Sequence, residues 1–216
     1  MPDIRVGTVL SGMGIDCRSS AGEKILRYIE LLAKWNRRVN LISSVRPAVL
    51  TPLILEAIWA ACRYPSDFKV HLDIGSGAGF PAIPLAAIRP DVEITMVESR
   101  AKKSAFLQTA VSDLQLGNVR VANERLEETL RRPQAPSPWD CVSWKAVKLS
   151  SRDFTRLLEI TDEDVRFWIF HGNDLPLEDP GLVARSLELG RRDACPFHPG
   201  WFLSEFRRRT VSRETG

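Results

Sequence analysis

The sequence predicts an α/β fold: a mainly parallel, Rossmann-like sheet over residues 66–216, preceded by a helical cap over residues 1–65. Three observations predict it. From residue 69, short apolar runs of strand length alternate with helical segments, the signature of right-handed βαβ units. The first of those runs empties directly into a glycine-rich turn. The residues before it show helical periodicity only.

In the cap, Ser20-Ala21-Gly22-Glu23 has the form of a capping box. Ile25, Tyr28, Ile29, Leu32, Trp35 and Val39 then recur at helical spacing and make one apolar stripe, with Lys34, Arg37 and Arg38 off it. A second helix is expected from about Ala48 to Ala61, ended by Tyr64-Pro65-Ser66-Asp67. In the second part, strands are expected at Val70–Ile74, Val92–Val97, Val119–Ala122, Trp139–Trp144 and Val165–Phe170. Helices are expected at Pro81–Ile88 and Lys102–Leu116, the latter stopped by Gly117. Farther on, Gly181–Leu189 reads as helical and Trp201–Phe206 as a last strand. Arg132 to Pro138 reads as a Pro-rich surface loop, and Arg207-Arg208-Arg209 as a basic tail.

Composition excludes several classes. No window of about 18 uninterrupted apolar residues exists, which argues against a membrane span. The start lacks the basic-then-apolar order of a secretory signal, so the expected location is cytoplasmic. Cys17, Cys62, Cys141 and Cys195 form no CxxC pair, which argues against a structural zinc site and a disulfide scaffold; no metal is expected. The formal charge is +3, and residues 1–65 hold nine Lys/Arg against five Asp/Glu. A weakly basic periphery suits a phosphate backbone, and a solvated surface equally.

The chemistry is carried by Gly75-Ser76-Gly77-Ala78-Gly79-Phe80-Pro81. Glycines let a backbone turn sharply and approach a ligand, and Pro81 suits a first helical turn. A dinucleotide fingerprint is GxGxxG; here Phe80 stands at the third glycine position and the spacing is GxGxG. S-adenosylmethionine carries no phosphate and needs no anion cradle. It needs room for a charged amino-acid tail and an acid for its ribose. Asp73 ends the first strand, and Glu98 ends the second, 23 residues after Gly75. The loop and the two acids therefore point to S-adenosylmethionine and a methyltransferase.

Further residues resemble the RsmG (GidB) methyltransferases. Leu72 to Leu85 is similar to that family's first motif, and Val97-Glu98-Ser99-Arg100-Ala101-Lys102-Lys103 to its second. Asn118-Val119 and Glu124-Arg125-Leu126-Glu127-Glu128 resemble the third, and Leu31 to Leu41 is close to the family's LLxKWNxxxNL segment. The resemblance spans about residues 25–145. It implies a seven-stranded class I S-adenosylmethionine-dependent methyltransferase fold with an N-terminal helical cap. It also implies methylation of N7 of a guanine in 16S rRNA (position 527 in rRNA numbering) of the small ribosomal subunit, by a monomer. The cofactor residues it implies are Asp73, Gly75, Ser76, Gly77, Gly79, Phe80, Glu98, Ser99, Arg125, Leu126, Glu127 and Lys145. Among them, Gly75 and Phe80 would line the methionine and ribose side, Glu98 would hold the ribose hydroxyls, and Leu126 and Glu127 would flank the adenine.

Guanine N7 carries a free lone pair, so no general base is expected. Three departures gather on the acceptor side. The family's Ser-Arg-Ala reads Ser143-Trp144-Lys145-Ala146, its Lys-Gly reads His171-Gly172, and its His-x-x-Asp-Ser reads Leu53-Ile54-Leu55-Glu56-Ala57. Lys145 is thus a candidate substrate-side or donor-side cation, or a structural ion pair; His171 is a substrate contact or a histidine capping a turn. Trp35 reads as core between cap and sheet. Rival functions are a methyltransferase of this fold with a small-molecule substrate, a non-catalytic RNA-binding or assembly protein keeping a vestigial pocket, and an oxidoreductase using a nicotinamide, which Phe80 disfavours.

Overall fold

The computed structural model describes residues 11–12, 14–132 and 139–209. The first ten residues of the expected cap and the Pro-rich stretch 133–138 lie outside the described residues. The cap contributes α1 (Ser20–Trp35) and α2 (Pro47–Ala61). The rest alternates: β1 (Val70–Ile74), α3 (Ala82–Ile88), β2 (Glu93–Val97), α4 (Ala101–Asp113), β3 (Val119–Ala122), α5 (Leu126–Arg131), β4 (Cys141–Lys145), α6 (Ser151–Ile160), β5 (Arg166–His171), α7 (Pro180–Ser186), β6 (Leu187–Ala194) and β7 (Phe202–Arg208).

The strands form one seven-stranded sheet in the order β3-β2-β1-β4-β5-β7-β6. β1 to β5 pair in parallel, and β7 runs antiparallel between β5 and β6. Because side chains alternate across a strand, each strand feeds two layers. Ile94, Met96, Cys141, Trp168 and Phe170 pack with α1, α2, α3 and α4 in one apolar cluster. Leu72, Ile74, Val142, Trp144 and Phe167 pack with α5, α6 and α7 in the other. The α3 segment reads as a continuous apolar run because it is buried between the sheet and the cap helices. Trp35 meets the Phe106 ring edge-on at 5.8 Å between α1 and α4, on the edge of the same cluster.

Four expectations need correction. The cap of α1 is Ser19, whose Oγ accepts from Gly22 N at 3.1 Å. Ser19 Oγ also donates to Asp16 O at 2.5 Å, which fixes the turn one residue before the Ser20 box. The helix expected over Gly181–Leu189 stops at Ser186, and Leu187 begins an edge strand. Gly190 favours the break, and β7 supplies the hydrogen bonds that a longer helix would have kept internal. The basic tail is not a tail: Arg207 and Arg208 belong to β7. Arg208 Nη1 donates to Thr161 O at 2.7 Å, and Arg209 Nε donates to Leu187 O at 3.1 Å. Finally, α5, α6 and β6 were not expected as elements at all.

Candidate functional site

In an open α/β sheet, ligands bind beyond the carboxyl ends of the strands, where the order reverses. Here β1 lies between β2 and β4, so the reversal falls at β1 and β4. A cleft of about 480 Å³ opens there. The turn after β1 forms its floor, Glu98, Ser99 and Arg100 after β2 one wall, Lys145 after β4 the opposite wall, and Leu41, Ile42 and Leu53 of the cap its roof.

The turn needs its glycines at two positions. Gly75 has φ +67°, and a Cβ there would stand 2.3 Å from Val147 Cγ2. Gly79 has φ +93°, and a Cβ would stand 2.5 Å from Ile83 Cδ1. Both demand the left-handed region and tight contact together. Gly75 N and Ser76 N donate to Val97 O at 2.8 and 3.1 Å, tying the turn to the end of β2. From the cap, the buried Tyr28 hydroxyl donates to Ala78 O at 2.6 Å. Asn36 shapes the roof: its Oδ1 accepts from Leu41 N and Ile42 N, both at 2.9 Å.

Glu98 is 6% exposed and holds backbone on both oxygens. Gly77 N donates to Oε2 at 2.9 Å and Arg100 N to Oε1 at 2.8 Å. Behind the turn lies a buried polar file. The Tyr64 hydroxyl lies 3.0 Å from His71 Nδ1, His71 Nε2 lies 2.9 Å from Ser143 Oγ, and Ser143 Oγ donates to Asp73 Oδ1 at 2.6 Å. Register explains the file. Asp73 pairs with Ser143 and His71 with Cys141, so all four face one layer. Burial pushes the Asp73 carboxyl up to about 7, against Ser143 and Ser76 hydrogen bonds that favour the charge. Burial lowers His71 to about 3, so its ring is neutral. Asp73 Oδ2 is buried with no hydrogen-bond partner among the described residues.

On the opposite wall, Lys145 Nζ pairs with Glu56 Oε1. The second oxygen, Oε2, accepts from His198 Nδ1 at 2.9 Å. Glu56 is almost fully buried, and the Lys145 ammonium also lies 5.4 Å from the Trp201 ring. Two departures noted separately in the sequence are therefore partners in space.

Of the expected site residues, Gly75, Ser76, Gly77, Phe80, Glu98, Ser99 and Lys145 line the cleft. Asp73 and Gly79 support it from behind. The structure does not bring Arg125, Leu126 or Glu127 into this lining. Arg125 precedes α5, Leu126 packs against the second apolar cluster, and Glu127 lines a separate depression between α5 and α6. His171 stands at the end of β5 with both ring nitrogens engaged, by Gly172 O at 2.7 Å and Ser204 Oγ at 2.8 Å. The sequence reading missed Tyr28, Asn36, Glu56 and His198 as site-shaping residues. Asn36 carried a signal through its place in the Lys-Trp-Asn segment and Glu56 through the Leu53–Ala57 departure, whereas Tyr28 read only as part of an apolar stripe and His198 carried none.

Strand order, the reversed β7 and the glycine turn beside an acid-ended β2 define the class I methyltransferase fold. Solved structures agree on that fold. The mitomycin 7-O-methyltransferase MmcR matches with a TM-score of 0.58 at 18% identity, over 71% of this chain and 53% of that one. A mutant of MtNAS in complex with S-adenosylmethionine matches with a TM-score of 0.59 at 10% identity, over 87% and 75%. The model of the family GidB, rRNA small subunit methyltransferase G, matches residues 21–178, and the chain belongs to that family. A Ribosomal RNA small subunit methyltransferase G from Methylobacillus flagellatus is 33% identical over 83% of this chain and 85% of its own length. One from Neisseria meningitidis is 39% identical over 57% of this chain and 59% of its own length. The chain thus spans about three fifths of the Neisseria relative's length.

Proposed function

We propose that the protein is an S-adenosylmethionine-dependent methyltransferase that modifies N7 of a guanine, position 527, in the 16S rRNA of the small ribosomal subunit. The observation that carries this is the cleft itself: a glycine turn too tight for side chains, facing Glu98 on one wall and Lys145 on the other, in a chain of this family. The cofactor's demands fit the residues present. A side chain at Gly75 would collide with Val147, which also lines the cleft, Glu98 stands at the cleft wall with carboxylate oxygens, and behind the turn Asp73 Oδ2 has no hydrogen-bond partner among the described residues.

When bound, S-adenosylmethionine supplies a methyl group on a cationic sulfur. In this reading Gly75, Ser76, Gly77 and Phe80 bound the methionine and ribose side, with Gly79 and Asp73 holding the turn in shape. Glu98, with Ser99 beside it, receives the ribose hydroxyls. Leu126 and Glu127 are the residues that family resemblance sets beside the adenine, with Arg125 a further cofactor residue it implies. Guanine N7 attacks with its free lone pair and the leaving thioether is neutral, so no side chain must take a proton. The protein's work is alignment and exclusion of water.

An RNA acceptor is supported by charge. Arg100 and Lys103 line the cleft, and Arg37, Arg38 and Arg46 stand exposed on the cap segment that roofs it. None of these five has an ion-pair partner among the described residues, so their charge is available to a ligand. Unpaired cations at a cleft mouth suit phosphates. The reading carries a cytoplasmic monomer; among the described residues no helix is long and apolar enough to cross a membrane. Unmodified 16S rRNA or small subunits, incubated with methyl-labelled cofactor, should gain label at one guanine, with the strand scission after borohydride reduction and aniline treatment that marks N7-methylguanine. Label elsewhere, or only on small molecules, would overturn the acceptor. Failure to bind the cofactor in calorimetry would leave a non-catalytic RNA-binding protein.

A further inference from the structure

Three segments far apart in the chain converge on Glu56. It projects from α2, Lys145 ends β4, and His198 lies in the turn between β6 and β7. That turn is fixed by its own backbone: Cys195 N donates to Trp201 O at 2.9 Å, and Trp201 N donates to His198 O at 3.0 Å. The His198 ring stacks on Trp201 at 4.9 Å with an interplanar angle of 16°. Order passes along a series. The turn holds His198, His198 holds one oxygen of Glu56, and the other oxygen holds Lys145.

A lysine at a cleft wall is a flexible stem with three rotatable donors. Glu56 takes one donor and leaves two for the cleft. The carboxylate also cancels the ammonium charge, so Lys145 can offer hydrogen bonds without opposing a cationic donor molecule or a base that becomes cationic. Gripped by Lys145 alone, the Glu56 carboxyl could swivel; His198 prevents that.

We propose that Lys145 reads the acceptor base, and that Glu56 and His198 are positioning residues that aim it. The inference rests on the proposed function and deepens it. Guanine presents O6, an acceptor, beside N7, whereas adenine presents an amino donor there. Two aimed N–H donors on Lys145 accept the first and repel the second. The site therefore selects a purine with a carbonyl next to the methylated nitrogen.

The test uses the full chain, S-adenosylmethionine, and RNA fragments carrying guanine, inosine or 2-aminopurine at the target. Inosine keeps O6 and 2-aminopurine lacks it. Wild-type protein should methylate guanine and inosine within about threefold of each other and 2-aminopurine at least about thirtyfold more slowly. His198→Phe keeps the ring on Trp201 and loses the donor. It should lower kcat on guanine about tenfold and narrow the preference over 2-aminopurine, with cofactor affinity unchanged and the melting temperature lowered by only a few degrees, about the effect of one lost bond. His198→Asn loses the stack and keeps a donor near the Nδ1 position, and should retain most of the activity. If stacking alone matters, the two variants exchange places, and the inference is overturned. Equal methylation of 2-aminopurine by wild-type protein, or wild-type kinetics in His198→Phe, also overturns it. No transfer to any RNA by the wild-type chain overturns the proposed function, and the inference with it.

Discussion

The two walls of the cleft each depend on a buried glutamate, and they use it differently. Glu98 binds backbone: the amides of Gly77 and Arg100. Glu56 binds side chains: the Lys145 ammonium and the His198 ring. The first wall is rigid by chain geometry and spans only residues 75–100, so it is local in sequence. The second is assembled from positions 56, 145 and 198, and its order depends on side-chain partners that can be exchanged together. The contrast teaches that one wall can be held by the local backbone while the other is held by side chains brought together from distant parts of the chain. Glu56 and Lys145, both in segments that depart from the family motifs, are an acid and a base in contact in this chain.

The largest expected effect separates the walls. Glu98→Leu removes the proposed ribose acceptor and leaves two amides without their partner. Cofactor affinity measured by calorimetry should fall roughly 100-fold, about 3 kcal/mol. An affinity within threefold of wild type would show that the donor wall does not use this carboxylate.

A smaller effect is expected on the other wall. Glu56→Gln keeps the shape and uncovers the Lys145 charge beside a cationic ligand. Cofactor affinity should weaken about tenfold, about 1.4 kcal/mol, and Lys145→Met added to it should restore the affinity. If the double variant binds no better than Glu56→Gln, charge cancellation is not what Glu56 does there.

The difference between the walls also explains what was legible in the sequence. Glycines at positive φ and a strand ending in an acid leave local marks, so Gly75, Gly77, Gly79 and Glu98 could be read directly, as could β1 to β5 and β7. Long-range pairs leave none. Nothing in the sequence around Glu56 or His198 says that they meet across 142 positions. β6 was hidden for a related reason. Its exposed residues show no alternation of their own, and only β7 makes it a strand. Ser20 misled because Ser-x-x-Glu fits it alone, whereas the hydroxyl held in place by Asp16 O, and so able to cap, belongs to Ser19.

Between the walls, the file ending at Asp73 gives a pH test. The folded Asp73 carboxyl is raised from 3.8 to about 7, so in that window the folded state keeps a proton that the unfolded chain loses, and stability falls as pH rises. His71 is lowered from 6.5 to about 3, so there the unfolded chain holds the extra proton, and stability rises with pH. The slopes oppose each other where the windows overlap. Asp73→Asn should therefore give a melting temperature that climbs more steeply from pH 4.5 to 6.5 than wild type, and His71→Gln one that falls relative to it. Parallel profiles for all three proteins would break the assignment.

The smallest effect concerns the joint that brings cap and donor wall together. The Tyr28 hydroxyl is the cap's hydrogen bond to the glycine turn, and it reaches Ala78 O without disturbing the apolar contacts of the ring with Phe80 and Phe106. Tyr28→Phe keeps those contacts and removes one bond, worth about 1 kcal/mol. If the cap only shields the core, the loss should appear in the melting temperature alone. If the cap also sets the turn, cofactor affinity should fall about fivefold as well, because ordering the turn then becomes part of binding. Since the glycines permit the turn without compelling it, the second outcome is the one expected, and an unchanged affinity would mean that Val97 O and Glu98 suffice to hold the turn from below.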